Sequence, residues 1–166
     1  MPIQRLNHAV LYVRDVQRSL DFYVRLLGFK VVHQIGDRAA FLQAEGSRND
    51  HDLGLFAVGE QVGNSQAGRS TVGLYHLAWE VDTLSELARI GEVLQKSGNL
   101  GGASDHGATK ALYAHDPDGL EFEVSWIVPA NLLHMETDGM KTAPLDLAAT
   151  IEKYGANTLG GVGVSS

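Results

Sequence analysis

Two histidines occupy matching positions in two similar stretches of the sequence. His8 lies in LNHAVLYVRD (6–15) and His76 lies in LYHLAWEVD (74–82), and each stretch predicts a strand followed by an aspartate. A lone strand histidine is usually a half-buried side chain bonded to a backbone carbonyl. Two imidazoles at equivalent positions that face one cleft would repel each other when protonated. A shared metal ion is the simplest way to satisfy both rings.

The segment LEFEVSWI (120–127) supplies a third candidate ligand. Side chains alternate along a strand, so Glu121 and Glu123 share one face, while Phe122 and Val124 take the other. Two histidines and one carboxylate that leave coordination positions open suit Fe(II) and oxygen chemistry, although Mn(II), Co(II) or Zn(II) could occupy a similar site. Alternation alone does not choose between the two glutamates.

The elements that position these residues repeat along the chain. In the first half, a strand (6–13) leads to a helix that Asp15 opens and Gly28 ends, and three strands follow (29–35, 38–44 and 51–58). In the second half, the order is a strand (74–81), a helix between Asp82 and Gly98, and strands at 109–116 and 120–127. The repeat predicts an α+β fold in which paired βαβββ modules form a curved mixed sheet around a metal-binding cleft.

The predicted boundaries follow from this repeat. A single domain covers 1–128, with modules at 5–58 and 73–128 and a linker at 59–72. Residues 129–166 form a C-terminal extension outside the repeat. Within the extension, APLDLAATIEKYG (143–155) predicts a short helix, and NTLGGVGVSS (157–166) predicts a flexible tail.

Composition excludes several classes of function. The chain has 166 residues, a formal net charge of -7 and no basic cluster, which argues against nucleic acid as a partner. It contains no cysteine, so nitrogen and oxygen must provide any metal ligands. No apolar run approaches the length of a membrane span, and no signal sequence is apparent, so we expect a cytoplasmic protein without a membrane partner. Two-fold assemblies are the commonest kind, and a homodimer is the default expectation.

The three stretches LNHAVLYVRD, YHLAWEVD and DPDGLEFE together resemble signatures of the vicinal oxygen chelate superfamily. This superfamily includes glyoxalase I, bleomycin- and fosfomycin-resistance proteins and extradiol ring-cleavage dioxygenases, and the resemblance covers residues 5 to about 128. Its metal-binding glutamate lies four positions after the glycine of Asp-Pro-Asp-Gly. The resemblance therefore implies the metal ligands His8, His76 and Glu123, with Glu121 as a rival acid next to the third.

Further residues resemble extradiol dioxygenases of the catechol 2,3-dioxygenase type. HDLGLF, which begins at His51, is similar to the pattern around their acid–base histidine. A tyrosine ten positions before the metal-binding glutamate corresponds to Tyr113, and a histidine in a His-Gly context corresponds to His106. The resemblance implies catalytic roles for His51, His106 and Tyr113, Fe(II) as the cofactor, and a catechol-type aromatic diol and O2 as substrates. Taken alone, His51 would be a loop histidine and Tyr113 a core aromatic.

Other functions within the superfamily remain open. A glyoxalase-like isomerase or lyase commonly draws a further ligand from a strand that pairs with the first module, and LGLFAV (53–58) contains no such residue. A bleomycin-resistance-like binding protein would need no metal, and a transferase acting on fosfomycin would use Mn(II). We expect the pocket to be lined by apolar residues such as Phe41, Phe56, Trp79 and Trp126. No role is predicted for the remaining histidines, His33, His115 and His134.

Overall fold

The chain forms two compact units in this computed structural model, which describes residues 2–136 and 142–161. Unit 1 comprises Met1–Ser65 together with Asp116–Gly119. Unit 2 comprises Gln66–His115 and Leu120–Ser166. The predicted boundaries at 58, 73 and 128 stay predictions.

Unit 1 contains a helix and a mixed four-stranded sheet. Its elements in chain order are β1 (Ala9–Val13), α1 (Val16–Arg25), β2 (Lys30–Ile35), β3 (Ala39–Gln43) and β4 (Leu53–Ala57). The strand order is β1-β4-β3-β2, in which β1 and β4 are parallel and the other pairs are antiparallel. The helix and strands predicted for the first half of the sequence are therefore confirmed.

The two faces of β1 differ in burial. Leu11 and Val13 are buried, whereas Val10 is 51% and Tyr12 is 75% exposed. The strand begins at Ala9, so His8 lies just before it rather than inside it. Because side chains alternate, His8 continues the open face of Val10 and Tyr12. The buried face supports the fold, and the open face carries the candidate ligand.

Unit 2 repeats the same arrangement and then extends it. Its elements are β5 (His76–Glu80), α2 (Leu84–Ser97), β6 (Leu100–Asp105), β7 (Thr109–His115), β8 (Glu121–Ile127), a 3-10 helix (Ala130–Met135), β9 (Ala143–Pro144) and α3 (Leu147–Tyr154). The strand order is β5-β8-β7-β6-β9, with β5 and β8 parallel. The order β5-β8-β7-β6 matches β1-β4-β3-β2, so the predicted α+β fold with repeated βαβββ units is confirmed.

The Asp-Pro-Asp-Gly turn (116–119) belongs to unit 1 and is held by hydrogen bonds to other residues of that unit. Asp118 accepts hydrogen bonds from the backbone N–H of Arg14 at 3.1 Å, from its guanidinium at 2.8 Å and from that of Arg18 at 2.9 Å. Asp116 is buried and accepts from the Tyr23 hydroxyl at 3.2 Å. Burial and the nearby Asp116 raise the pKa of Tyr23 well above its usual value, so this phenol stays a donor. The acidic residues of this motif thus fix a turn.

The C-terminal extension contains the predicted helix in a shorter form. Asp146 caps α3 by accepting from the Ala149 N–H, and the helix ends before Gly155. Residues 143 and 144, which we expected at the start of this helix, instead form β9 against β6. In the predicted tail, Gly161 N–H donates to the carbonyl of Ile127, and residues 162–166 lie outside the described residues. None of the helices in the described ranges is long and apolar enough to cross a membrane.

Candidate active site

Strand register in unit 2 brings the predicted site residues onto neighbouring positions. β5 and β8 pair in parallel, which places His76 opposite Glu121 and Ala78 opposite Glu123. On the other side of β8, the antiparallel β7 places Tyr113 opposite Glu123 and His115 opposite Glu121. β8 therefore lies between β5, which carries His76, and β7, which carries Tyr113. Both of its glutamates pair with residues of these two neighbouring strands.

His76 lies between the two carboxylates. Its Nε2 is 3.5 Å from Oε2 of Glu123, and its Nδ1 is 3.6 Å from Oε1 of Glu121. His76 Nδ1 and Glu121 Oε1 are both buried and have no hydrogen-bond partner among the described residues. Buried polar atoms without partners are rare and call for an explanation.

These donors fit a metal ion. Bonds from such a metal to histidine nitrogen and carboxylate oxygen are about 2.0–2.2 Å long. Two ligand atoms that lie 3.5 Å apart, as His76 Nε2 and Glu123 Oε2 do, can therefore bond to one ion. Metal-bound histidines usually donate their other ring N–H to a carboxylate, and Glu121 faces that nitrogen. Unit 2 thus contains two of the three predicted ligands at a suitable spacing.

Tyr113 and His106 form a hydrogen-bonded pair beside these ligands. The Tyr113 hydroxyl is 2.9 Å from His106 Nε2, and its ring centroid is 5.9 Å from that of His76. Burial and the negative charge of Glu123 raise the pKa of Tyr113. The phenol therefore stays protonated at neutral pH and can donate a hydrogen bond.

Unit 1 brings together the other two predicted histidines. The ring centroids of His8 and His51 are 4.4 Å apart, and Asn7 Oδ1 lies 2.8 Å from His8 Nδ1. The ring of Phe41 packs nearly perpendicular to that of His51, with ring centroids 5.1 Å apart. The predicted acid–base group thus lies against a predicted metal ligand.

Acidic residues on both sides of His51 hold its loop. Asp50 Oδ2 lies 3.3 Å from His51 Nδ1, and Asp50 Oδ1 accepts a hydrogen bond from the His51 backbone N–H. The latter bond lowers the pKa of Asp50 below its usual value. Asp52 accepts from the Ala44 N–H at 2.8 Å and from the Ser47 hydroxyl at 2.7 Å, which anchors the loop to β3. The pairing with Asp50 thus engages the Nδ1 side of the His51 ring.

The structure places the six predicted site residues in two groups, one in each unit. Unit 1 contains His8 and His51, and unit 2 contains His76, Glu123, Tyr113 and His106. In the ranges 2–136 and 142–161, no three histidine, aspartate or glutamate side chains are grouped closely enough to hold a metal ion. The full ligand set therefore stays a prediction.

The structure also corrects and extends the predicted surroundings of the site. Trp126 is fully buried and packs against Tyr154, so it belongs to the core of unit 2 and does not line a pocket. The pairing of Asp50 with the His51 ring was not predicted, because its place next to His51 in the sequence gives no sign of it. His115, which had no predicted role, lies 3.8 Å from Glu121.

A comparison with protein-family models matches residues 5–124 to the Glyoxalase/Bleomycin resistance protein/Dioxygenase superfamily. This range contains all six of the predicted site residues and the first unit's sheet in full. The chain belongs to this superfamily. The resemblance drawn from the sequence is therefore confirmed.

Two curated members of the superfamily differ in their named activity. The chain is 31% identical over 155 residues to a catechol-2,3-dioxygenase of Bacillus subtilis, covering 90% of this chain and 52% of that protein. It is 28% identical over 133 residues to a lactoylglutathione lyase of Escherichia coli O157:H7, covering 72% of this chain and 90% of the lyase. The chain thus spans about half the length of the dioxygenase.

Solved structures of the superfamily share this fold. A glyoxylase/bleomycin resistance protein/dioxygenase domain from Frankia sp. EAN1pec has a TM-score of 0.61 and 22% sequence identity, with 81% of this chain and 99% of that chain covered. Identity at this level shows the fold alone. The superfamily contains both dioxygenases and lyases, so the activity must be argued from the site.

Proposed function

We propose that this protein is an Fe(II)-dependent extradiol dioxygenase that opens the ring of a catechol-type diol next to its hydroxyl groups. His8, His76 and Glu123 would hold the metal. A bound Fe(II) ion would supply open positions for the diol and O2, and its unpaired electrons would remove the spin restriction on their reaction. Both oxygen atoms enter the ring-opened product, a muconic semialdehyde, so the reaction needs no external reductant.

The observation that carries this proposal is the His106–Tyr113 pair beside His76 and Glu123. The Tyr113 hydroxyl lies 2.9 Å from His106 Nε2, and Tyr113 pairs with Glu123 across β7 and β8. A binding protein would not need two hydrogen-bonding groups next to a metal-ligand pair. In ring cleavage, these groups donate hydrogen bonds to the negative charge that develops on the reacting oxygens.

His51 is the proposed base for the catechol hydroxyl. Imidazole has an unperturbed pKa of about 6.5, which suits proton transfer near neutral pH. Asp50 lies 3.3 Å from Nδ1, so it orients the ring and stabilises the imidazolium that forms when Nε2 takes the proton. The aromatic ring of Phe41, in contact with His51, offers an apolar surface to the substrate ring.

The test is oxygen uptake by protein reconstituted anaerobically with Fe(II), on addition of catechol, 3-methylcatechol or 2,3-dihydroxybiphenyl. We expect one O2 consumed for each coloured ring-opened product, and we expect the His76→Ala variant to lose this activity. Protein that holds iron but consumes no oxygen with any of the diols would contradict the proposal. Protein that holds no metal would favour a bleomycin-resistance-like binding function.

A glyoxalase-like lyase or isomerase is the second candidate function. The observation that favours it is that Glu121 and Glu123 both approach His76, at 3.6 and 3.5 Å, which could supply the further oxygen ligand that β4 lacks. The lyase relative also matches this chain over 90% of its own length. Thioester formation from methylglyoxal and glutathione by Zn(II)- or Ni(II)-loaded protein, without diol cleavage by the iron form, would support this function instead.

A further inference from the structure

The C-terminal extension, which follows the superfamily match, is fastened to the sheet of unit 2. Glu136 accepts hydrogen bonds from Lys110 Nζ at 3.1 Å, from Lys153 Nζ at 2.9 Å and from the Tyr154 hydroxyl. Lys110 lies on β7, is only 1% exposed, and pairs with Asp105 as well as with Glu136. The extension is therefore tied to the same strand that carries Tyr113.

Strand pairing brings one residue of the extension to His106. β9 pairs antiparallel with β6, with Ala143 opposite Asp105 and Pro144 opposite Ser104. In an antiparallel pair, a step back along one strand corresponds to a step forward along the other. Thr142 is therefore placed opposite His106 by the backbone register.

The side chains of these two residues are in contact. Thr142 Oγ1 lies 3.1 Å from His106 Nδ1, while His106 Nε2 lies 2.9 Å from the Tyr113 hydroxyl. Both ring nitrogens of His106 thus face a hydroxyl group. A neutral imidazole has one donor nitrogen and one acceptor nitrogen, and the bond made by one nitrogen fixes the role of the other.

Tyr113 favours one assignment of these roles. It pairs with Glu123 across β7 and β8, and burial together with the nearby carboxylate raises its pKa, so the neutral phenol is favoured. In the Nε2–H tautomer of His106, Nε2 donates to the Tyr113 oxygen and Nδ1 accepts from the Thr142 hydroxyl. The chain of donors then runs from Thr142 through His106 to Tyr113.

We propose that Thr142 is a positioning residue of the active site, which holds the His106 ring in the Nε2–H tautomer and in the orientation that meets Tyr113. The extension thereby completes the site although it lies outside the superfamily match. The value of this arrangement for turnover rests on the proposed dioxygenase function, because there Tyr113, supported by the hydrogen bond from His106, must donate to a reacting oxygen. The contact itself does not depend on that function.

The test compares Thr142→Val, which removes the hydroxyl at nearly constant shape, with Thr142→Ser, which keeps it. Side-chain 15N NMR of histidine-labelled full-length protein, with and without Zn(II), reports the tautomer, and His106→Gln assigns the signals. We expect the Nε2–H tautomer in the wild type and in Thr142→Ser, and a tautomer mixture in Thr142→Val. Thr150→Val is the matched control, because its hydroxyl donates to the Asp146 carbonyl inside α3 and does not contact His106.

Turnover gives the second readout. Thr142 is exposed, so water can replace part of its effect, and we expect kcat for diol cleavage to fall about three- to tenfold in Thr142→Val with KM almost unchanged. An unchanged tautomer in Thr142→Val, or the same mixture in Thr142→Ser, would overturn the proposed role. Absence of diol cleavage in the wild type would instead contradict the dioxygenase function, and the NMR comparison would still decide the role of Thr142.

Discussion

The two groups of site residues are built in different ways. In unit 2, His76, Tyr113 and Glu123 all lie on paired strands, and their spacing follows from sheet register. In unit 1, His8 precedes β1 and His51 lies in the loop before β4. There Asn7 Oδ1 lies 2.8 Å from His8 Nδ1, and Asp50 Oδ2 lies 3.3 Å from His51 Nδ1.

We infer from this difference how the two proposed tasks, metal binding and proton transfer, are divided between the two groups of residues. Strand pairing fixes ligand atoms to within small displacements, which suits the binding of a metal at bond lengths that vary little. A loop residue oriented by one carboxylate can adjust its ring to the substrate as a proton moves. We therefore expect unit 2 to determine metal affinity and unit 1 to determine the rate of proton transfer.

The largest expected effect distinguishes His76, a proposed metal ligand in unit 2, from His8, the proposed metal ligand in unit 1. His76→Ala should abolish diol cleavage and weaken metal binding by more than about 100-fold, because even outer partners of metal ligands contribute about 10–100-fold. His8→Ala should also abolish diol cleavage but should weaken metal binding less. Titration with Fe(II) or Zn(II) against a chelator measures both, and His134→Ala is the matched control. Equal losses of metal affinity in the two variants would contradict the expectation that unit 2 determines metal affinity.

The next effect concerns the loop of unit 1. His51→Ala should lower kcat by about 10²–10⁴-fold, the usual contribution of a general base, while the protein still holds its metal. Asp50→Asn should cause a smaller loss, because the amide can still orient the ring but no longer stabilises the imidazolium. Asp37→Asn, a charge change in the exposed turn between β2 and β3, serves as the control. Full turnover in metal-loaded His51→Ala would remove this residue from the mechanism.

A smaller effect sharpens the account of unit 2. Glu121 faces the Nδ1 of His76 at 3.6 Å, so Glu121→Leu should weaken metal binding by about 10–100-fold, and Glu121→Gln should lie between it and the wild type. Glu123→Leu should lose the metal outright. The reverse order of affinities would show that Glu121 is the ligand and Glu123 the outer group, and the same chelator titration decides between them.

Most of the fold was open to prediction because the helices and most of the strands carry strong patterns. Asp15 caps α1, and Gly98 ends α2 with a φ of 76°, as their residue types indicate. β6 was not predicted, since LGGASD (100–105) has too few apolar residues to show alternation. β9 was missed as well, because Ala143–Pro144 forms a strand through its pairing with β6 and carries no signal of its own.

The site was predictable where the sequence repeats and less so where contacts are long-range. Alternation placed Glu121 and Glu123 on one face, and Phe122 and Val124 are buried on the other, as expected. The link between Thr142 and His106 spans 36 residues and depends on the register of β9, which no local pattern reveals. Trp126 was assigned to a pocket from its apolar character alone, and such character does not tell a pocket from a core.

The smallest effect concerns the attachment of the extension, a feature that unit 2 has and unit 1 lacks. Burial would raise the pKa of Glu136, but hydrogen bonds from Tyr154, Lys153 and Lys110 outweigh it and lower the pKa from 4.5 to about 2. A carboxylate whose pKa is lower in the folded than in the unfolded protein stabilises the fold at pH values above its unfolded-state pKa. That contribution is lost as the pH falls through the folded-state pKa. Glu136→Gln should therefore lower the free energy of unfolding by about 1–3 kcal/mol at pH 7.

Chemical denaturation at several pH values checks this expectation. The difference between the wild type and Glu136→Gln should be full above pH 4.5 and should shrink towards pH 2, because the wild-type carboxyl is then protonated as well. Glu92→Gln is the matched control, since Glu92 is 70% exposed and pairs with Lys96 on the surface of α2, where an ion pair contributes little. A pH-independent difference would mean that Glu136 holds the extension by shape and hydrogen bonding, without its charge.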